Sequence, residues 1–235
     1  MEEQNEQRRI RLEKIERLRA LGVEPYPYRF EVTHQARQVL EQAEALLASG
    51  EEVALAGRLA AMRRQGKATF AHIRDNHVRL QVYLREDALG AEAYEVVRLS
   101  DLGDYVGLQG AMMRTKTGEL TLRARSFQLL AKSIRPLPVP KVEEREGGPV
   151  VHDEVRDVEF RYRQRYADLA TNDEVPEVFH RRALIIRTLR DYLVEQGFLE
   201  VETPVLQVLY GGAAARPFTA HLEALDLPLY LRIAT

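Results

Sequence analysis

Residues 52–85 read EVALAGRLAAMRRQGKATFAHIRDNHVRLQVYLR, and their period is two. Val53, Leu55, Gly57 and Leu59 alternate with Ala54, Ala56 and Arg58, as in a strand with one buried face. Ala68 to Asp75 is a second strand. Val78 to Arg85 is a third, joined to it by the short Asn76-His77 turn. In the third, Val78, Leu80, Val82 and Leu84 take one face; Arg79, Gln81, Tyr83 and Arg85 take the other. Phe70, His72 and Arg74 share a face of the second in the same way.

Outward from this core, a helical segment covers about Ala91 to Leu99. Two further strands follow, Tyr105 to Thr115 and Leu120 to Leu130, with Lys116-Thr117-Gly118 turning between them. Three strands, a helix, then two strands is the order of an OB-fold barrel, over residues 52–134. Another small barrel fits the same short strands. Upstream, Glu3 to Leu21 reads as a helix rich in Arg and Glu, with Ile10, Leu12, Ile15, Leu18 and Leu21 at helical spacing. Gly22 stops it, and Pro25 and Pro27 prevent resumption. Arg8, Arg9 and Arg11 there suit either RNA contact or a solvated face. A second helix, His34 to Ala48, closes with Ser49-Gly50, which makes residues 1–51 an N-terminal helical extension.

Downstream, residues 135–158 contain Pro136, Pro138, Pro140 and Pro149 with Gly147-Gly148, and read as an extended linker. Residues 159–235 then hold a long helix, Val175 to Gln196, with Leu184, Ile185, Leu189 and Leu193 on its apolar face. A strand is expected over Phe198 to Leu206, interrupted by Pro204, and a last one over Leu229 to Ala234.

The chain of 235 residues has a formal charge of −2, so it is not a basic nucleic-acid coat as a whole. Between Glu52 and Lys132, however, 13 Lys and Arg face 9 Asp and Glu. A local basic surplus attracts phosphates over the roughly 8 Å that physiological salt permits. There are no cysteines, and the six histidines are scattered, so no metal site is expected. No apolar run approaches the roughly 18 residues that cross a bilayer, and the charged N-terminus has no apolar signal core. A soluble intracellular protein is expected.

Phe70 beside His72, Arg74 and the Gln81 face offers a base a stacking surface, in-plane hydrogen bonds and phosphate neutralisation together. The competing reading is that Phe70 packs inside the barrel and the arginines are ordinary surface.

GRLAAMRRQGKATFAHIRD, RLQVYL, LGDYVGLQG and TKTGELTL resemble, in order, the anticodon-binding domain of class II lysyl-tRNA synthetases of bacterial type. The resemblance implies that a uracil-rich lysine anticodon lies across the barrel. Phe70 would stack on the central uracil, Gln81 would help hold it, Glu119 would read a uracil edge, and an arginine of the Arg63-Arg64 pair would reach the anticodon. FRYRQRYADL, residues 160–169, is also typical of the family, where the segment leads into the catalytic domain. GFLEVETPVL resembles the first class II signature motif, in which Pro204 belongs to a homodimer interface. GGAAARPF resembles the amino-acid loop, whose Gly211, Gly212 and Ala213 would approach the amino and carboxylate groups of lysine. The long polar linker and Tyr210 depart from the family pattern.

The implied fold is α+β: a five-stranded OB-fold barrel with N-terminal helices, then an incomplete antiparallel class II catalytic domain. The implied function is ATP-dependent activation of lysine, with Mg²⁺, and its transfer to tRNA in a cytoplasmic homodimer. The phosphate-holding motifs 2 and 3 are expected beyond Thr235, so no catalytic residue is assigned and the chain as given is expected to be inactive. An RNA-binding or regulatory fragment without ligase activity is the alternative. Aspartyl and asparaginyl enzymes share the architecture, but GGAAARPF and KTGEL argue against them.

Overall fold

The structure, a computed structural model, describes residues 2–138, 141–145, 148–152, 157–172 and 174–234, which divide into two compact units between Val175 and Pro176. The first unit opens with helix α1 (Glu2–Ala20) and the short helices α2 (Ala36–Glu41) and α3 (Ala43–Ser49). The single helix expected over residues 34–48 is thus two, parted at Gln42, whose backbone leaves the helical region at φ −102° and ψ 15°.

Strands β1 (Glu52–Gln65), β2 (Ala68–Asp75) and β3 (Val78–Arg85) follow. Helices α4 (Glu86–Leu89) and α5 (Ala91–Leu99) lead to β4 (Tyr105–Arg114) and β5 (Leu120–Ala131), and the five strands close a barrel in the order β1-β2-β3-β5-β4. Closure depends on β1 serving two partners. Its first half, Glu52 to Arg58, pairs with β4 and its second, from Arg58, pairs with β2, with a register shift between Leu59 and Ala61. An extra residue at such a bulge bends the strand and increases its twist, as a small barrel requires. Gly110 stands at a second shift, between β4 and β5, where a Cβ would lie 2.1 Å from the Arg123 carbonyl oxygen.

The inward residues are those the alternation selects: Leu55, Leu59, Ile73, Leu80, Leu84, Leu108, Leu122 and Leu129, each at most 2% exposed. Leu18, Val39 and Leu46 join the same core, so the N-terminal helices are packed onto the barrel and not appended to it. Burying each such side chain contributes about 1.5–3 kcal/mol. Polar contacts fasten α1 as well. Arg11 donates to the carbonyls of Ser133 and Leu102, and Lys14 Nζ lies 2.5 Å from Asp101 Oδ1.

Of the expected linker, residues 139–140, 146–147 and 153–156 lie outside the described residues. The remainder is not simply extended. Strands β6 (Lys141–Arg145) and β7 (Gly148–His152) form an antiparallel hairpin, and β-branched residues on both sides of a Gly pair are the sequence signal for it. Helices α6 (Val158–Arg163) and α7 (Arg165–Thr171) gather around the buried Asp168 carboxylate, which accepts from Arg161 Nε at 2.9 Å, from Arg165 and from Asn172. Arg74 Nη1 donates to the Ala170 carbonyl at 3.0 Å and ties α7 to the barrel.

The second unit contains the body of helix α8 (Val175–Glu195) and a small sheet of β8 (Leu206–Gln207), β9 (Thr219–Leu222) and β10 (Leu227–Leu231) in the order β8-β10-β9. The strand expected over residues 198–206 is absent up to Val205. Pro204 has no N–H to offer a ladder, and the segment is held instead by Arg232, whose guanidinium reaches the Thr203 carbonyl at 2.8 Å and whose N–H reaches the Val205 carbonyl at 2.9 Å. Ile185, Leu189, Leu193, Val201 and Leu209 are all exposed.

Candidate nucleic-acid interface

The outer face of β1, β2 and β3 is set by register. Arg63 pairs with Phe70, Phe70 with Tyr83, and His72 with Gln81, and directly paired residues of antiparallel strands share a face. Thr69, Ala71 and Ile73 point inward, which leaves Phe70 half-buried on the outside. The Phe70 and Tyr83 rings stack with centroids 4.5 Å apart and planes 29° from parallel. They make an aromatic platform on the barrel surface.

Beside it is a chain of hydrogen bonds. β3 runs parallel to β5 with Gln81 opposite Thr121. The Thr121 hydroxyl donates to Gln81 Oε1 at 2.7 Å, and Gln81 Nε2 donates to Glu119 Oε2 at 2.6 Å. His72 Nε2 lies 3.1 Å from the other carboxylate oxygen, Glu119 Oε1. Glu119 is positioned by the turn before β5, where its N–H bonds Thr115 Oγ1 at 3.1 Å and its carbonyl accepts from Thr115 N. Phe70, Gln81 and Glu119 are therefore brought together from two strands and a turn.

The two adjacent arginines separate. Arg63 is exposed on the aromatic face and has no hydrogen-bond or ion-pair partner among the described residues. Arg64, one residue on, pairs with inward-facing Thr69 and sends its guanidinium to the end of α5, 3.0 Å from the carbonyls of Arg98 and Ser100. A cation there satisfies orphan carbonyls and complements the helix dipole.

His72, Tyr83 and Thr121 complete the site. Alternation places the first two on the outer face, where His72 is expected beside Phe70 and Tyr83 is given no role of its own by the sequence. Nothing local marks Thr121, because its contact with Gln81 depends on a pairing across 40 residues.

In the second unit, Gly211, Gly212 and Ala213 lie in the exposed loop between β8 and β9. Gly212 has φ +88°, and a Cβ on it would come within 2.9 Å of Ala234 Cβ, so both conformation and space call for glycine. Gly211 faces open space. Tyr210 packs against Tyr230 with ring centroids 4.7 Å apart. Pro204 is exposed in the irregular stretch between α8 and β8. Among the described residues no three His, Asp or Glu side chains are grouped to hold a metal ion, and no helix is long and apolar enough to cross a membrane.

Comparison with known proteins assigns both halves. Residues 53–130 match the OB-fold nucleic acid binding domain family, and residues 157–235 match tRNA synthetases class II (D, K and N). Along 99% of its length the chain is similar to a protein named lysine--tRNA ligase from Pelotomaculum thermopropionicum, at 50% identity, covering 44% of that relative. Lysine--tRNA ligases from Carboxydothermus hydrogenoformans and Moorella thermoacetica are 47% and 48% identical, each covered over 45% of its length. The chain thus spans less than half the length of the curated relatives it matches.

Proposed function

We propose that the chain, whose residues 53–130 match the OB-fold nucleic acid binding domain family and 157–235 the tRNA synthetases class II (D, K and N), is a class II synthetase of that group and serves lysine–tRNA ligation, its barrel recognising a uracil-rich anticodon. The observation that carries this reading is the Phe70–Tyr83 platform standing beside the Gln81–Glu119 pair on the outer face. A base laid on Phe70 brings its Watson–Crick edge to that pair. Glu119 accepts from uracil N3–H, and the second hydrogen of Gln81 Nε2 donates to a uracil carbonyl. Arg63 neutralises a neighbouring phosphate.

The same reading divides the labour by segment. Residues 52–134 recognise RNA with residues 1–51 packed against them, residues 135–158 connect, and residues 159–235 contribute to the catalytic domain. Gly211, Gly212 and Ala213 approach the amino and carboxylate groups of lysine. The apolar face of α8 and the Pro204 segment lie in a homodimer interface, a role supported by their exposure. Cytoplasmic residence follows from the reaction. ATP and Mg²⁺ supply the activating chemistry in this family, and no residue of this chain is assigned to that step.

Titration of the chain with a stem-loop RNA carrying a uracil-rich loop tests the proposal. Phe70→Ala should weaken binding by roughly 1–3 kcal/mol, the worth of one base stacked on an aromatic ring. Unchanged affinity in a folded Phe70→Ala protein would remove the anticodon face from the barrel.

A further inference from the structure

Thr121 and His72 flank the Gln81–Glu119 pair from β5 and β2, and neither is needed above as a base contact. We propose that these two are positioning residues for base discrimination, holding Gln81 and Glu119 in one fixed donor–acceptor polarity; the proposal rests on the anticodon reading.

Polarity is what separates the two pyrimidines. Uracil presents carbonyl, N3–H and carbonyl along its pairing edge; cytosine presents an amino group, a bare N3 and a carbonyl. A carboxylate beside an amide N–H therefore suits uracil and meets cytosine with acceptor against acceptor. The match survives only while the Gln81 amide keeps its nitrogen toward Glu119 and the carboxylate keeps its plane.

The surrounding geometry enforces both conditions. Thr121 is wholly buried, and its hydroxyl sits 2.7 Å from Gln81 Oε1, so the amide oxygen is anchored on the barrel side. The nitrogen then faces Glu119 Oε2 at 2.6 Å. A flipped amide would set two oxygens at that distance, one of them charged. The Thr121 hydroxyl has a second acceptor within reach, the Glu119 carbonyl at 3.1 Å, which belongs to the same residue and keeps Glu119 close to Gln81. On the far side, His72 Nε2 holds Glu119 Oε1 at 3.1 Å. Each carboxylate oxygen thus has one donor from a different strand, which fixes the carboxylate plane while leaving lone pairs for a base. His72 and Glu119 side chains are 29% and 47% exposed, so the edge is open to a ligand from outside.

The test uses residues 1–235 and three stem-loops identical except at the central loop position, which carries uracil, cytosine or no base. Thr121→Val keeps the shape and removes the hydroxyl. It should reduce the uracil-over-cytosine preference by about 2- to 12-fold, the worth of one hydrogen bond, while binding of the abasic loop stays unchanged. Thr121→Ser should restore the preference. His72→Leu should reduce it similarly and His72→Gln, whose amide nitrogen reaches the place of Nε2, should restore it. Thermal melts establish folding; should buried Thr121→Val fail to fold, half-buried His72→Leu decides. If the folded variants keep the wild-type preference while Phe70→Ala still weakens binding, this inference is wrong and the anticodon reading stands. If Phe70→Ala has no effect, both fall.

Discussion

Lys132 and Asp104 meet at 2.6 Å with both side chains wholly excluded from solvent. All three ammonium hydrogens have acceptors: Asp104 Oδ2, Asp101 Oδ2 at 2.6 Å and the Leu99 carbonyl at 3.1 Å. Asp104 also accepts from the N–H groups of Ser133 and Asp101 at 2.8 Å each. The cluster joins the end of α5, the start of β4 and the end of β5, and through Lys14 it reaches α1. Lys132→Met would leave a buried carboxylate without its cation. Removing one member of a buried pair is worth about 3–5 kcal/mol, so urea unfolding should show a loss of that order. A variant as stable as the parent would show that the cluster contributes nothing net.

The two carboxylates give opposite pH signatures. Burial acts to raise Asp101, but hydrogen bonds and charge from Lys132 and Lys14 outweigh it and hold its pKa below the usual carboxylate value. Its contribution is present above the unfolded-state value and is lost as pH falls through the folded one. Burial prevails at Asp104 and pushes its pKa up despite Lys132, so its contribution is present below the unfolded-state value and is lost as pH rises through the folded one. Asp101→Asn removes the first effect. The stability gap between wild type and this variant should therefore narrow as pH is lowered through the acid range in denaturant titrations. A gap that widens on acidification would contradict the assignment for Asp101.

Arg63 and Arg64 should behave differently although they are adjacent. Arg63 faces outward beside Phe70, and Arg64 caps α5. Arg63→Ala should lower RNA affinity, reduce the dependence of log K on log salt by nearly one unit, and leave the melt unchanged, as for one lost phosphate contact. Arg64→Ala should instead lower the stability of the barrel by about 1 kcal/mol, with little change in salt slope. The reverse assignment of effects would place the RNA on the other face of β1.

The barrel was legible in the sequence because its strands alternate cleanly and its turns are short. The alternation over Val78 to Arg85 gives the observed limits of β3 and its inner face. The separation of Arg63 from Arg64 also follows from a period of two, but only once the bulge between Leu59 and Ala61 is known, since that shift resets which residues face outward. Phe70, Gln81 and Glu119 were legible as a group only through family resemblance; local pattern left Phe70 open to an inward reading. Thr121 was hidden because parallel pairing of β3 with β5 is a long-range event with no local signature. The hairpin of β6 and β7 is illegible for the opposite reason, as the prolines around it outweigh a short strand–Gly–Gly–strand signal. The strand expected over Phe198 to Leu206, interrupted by Pro204, does not form before Leu206. A strand needs a partner, and Pro204 and the Arg232 contacts leave that stretch without a ladder.

Glu119→Gln tests the reading edge most directly. The substitution keeps the shape and an acceptor oxygen and removes the charge. The ionised acceptor that penalises a flipped Gln81 amide is then gone, and only the Thr121 hydroxyl still favours the original orientation. The hydrogen bond from His72 Nε2 also weakens, since its acceptor is no longer ionised. The edge therefore loses its fixed polarity while Phe70, Tyr83 and Arg63 keep their stacking and charge. Binding of an abasic-loop RNA should be nearly unchanged or slightly tighter, because a negative charge has left the surface. Preference for uracil over cytosine at the central position should fall by about tenfold, the worth of one charge-assisted hydrogen bond near 1.4 kcal/mol. Equal losses for the uracil, cytosine and abasic loops would mean that Glu119 shapes the turn before β5 and reads no base.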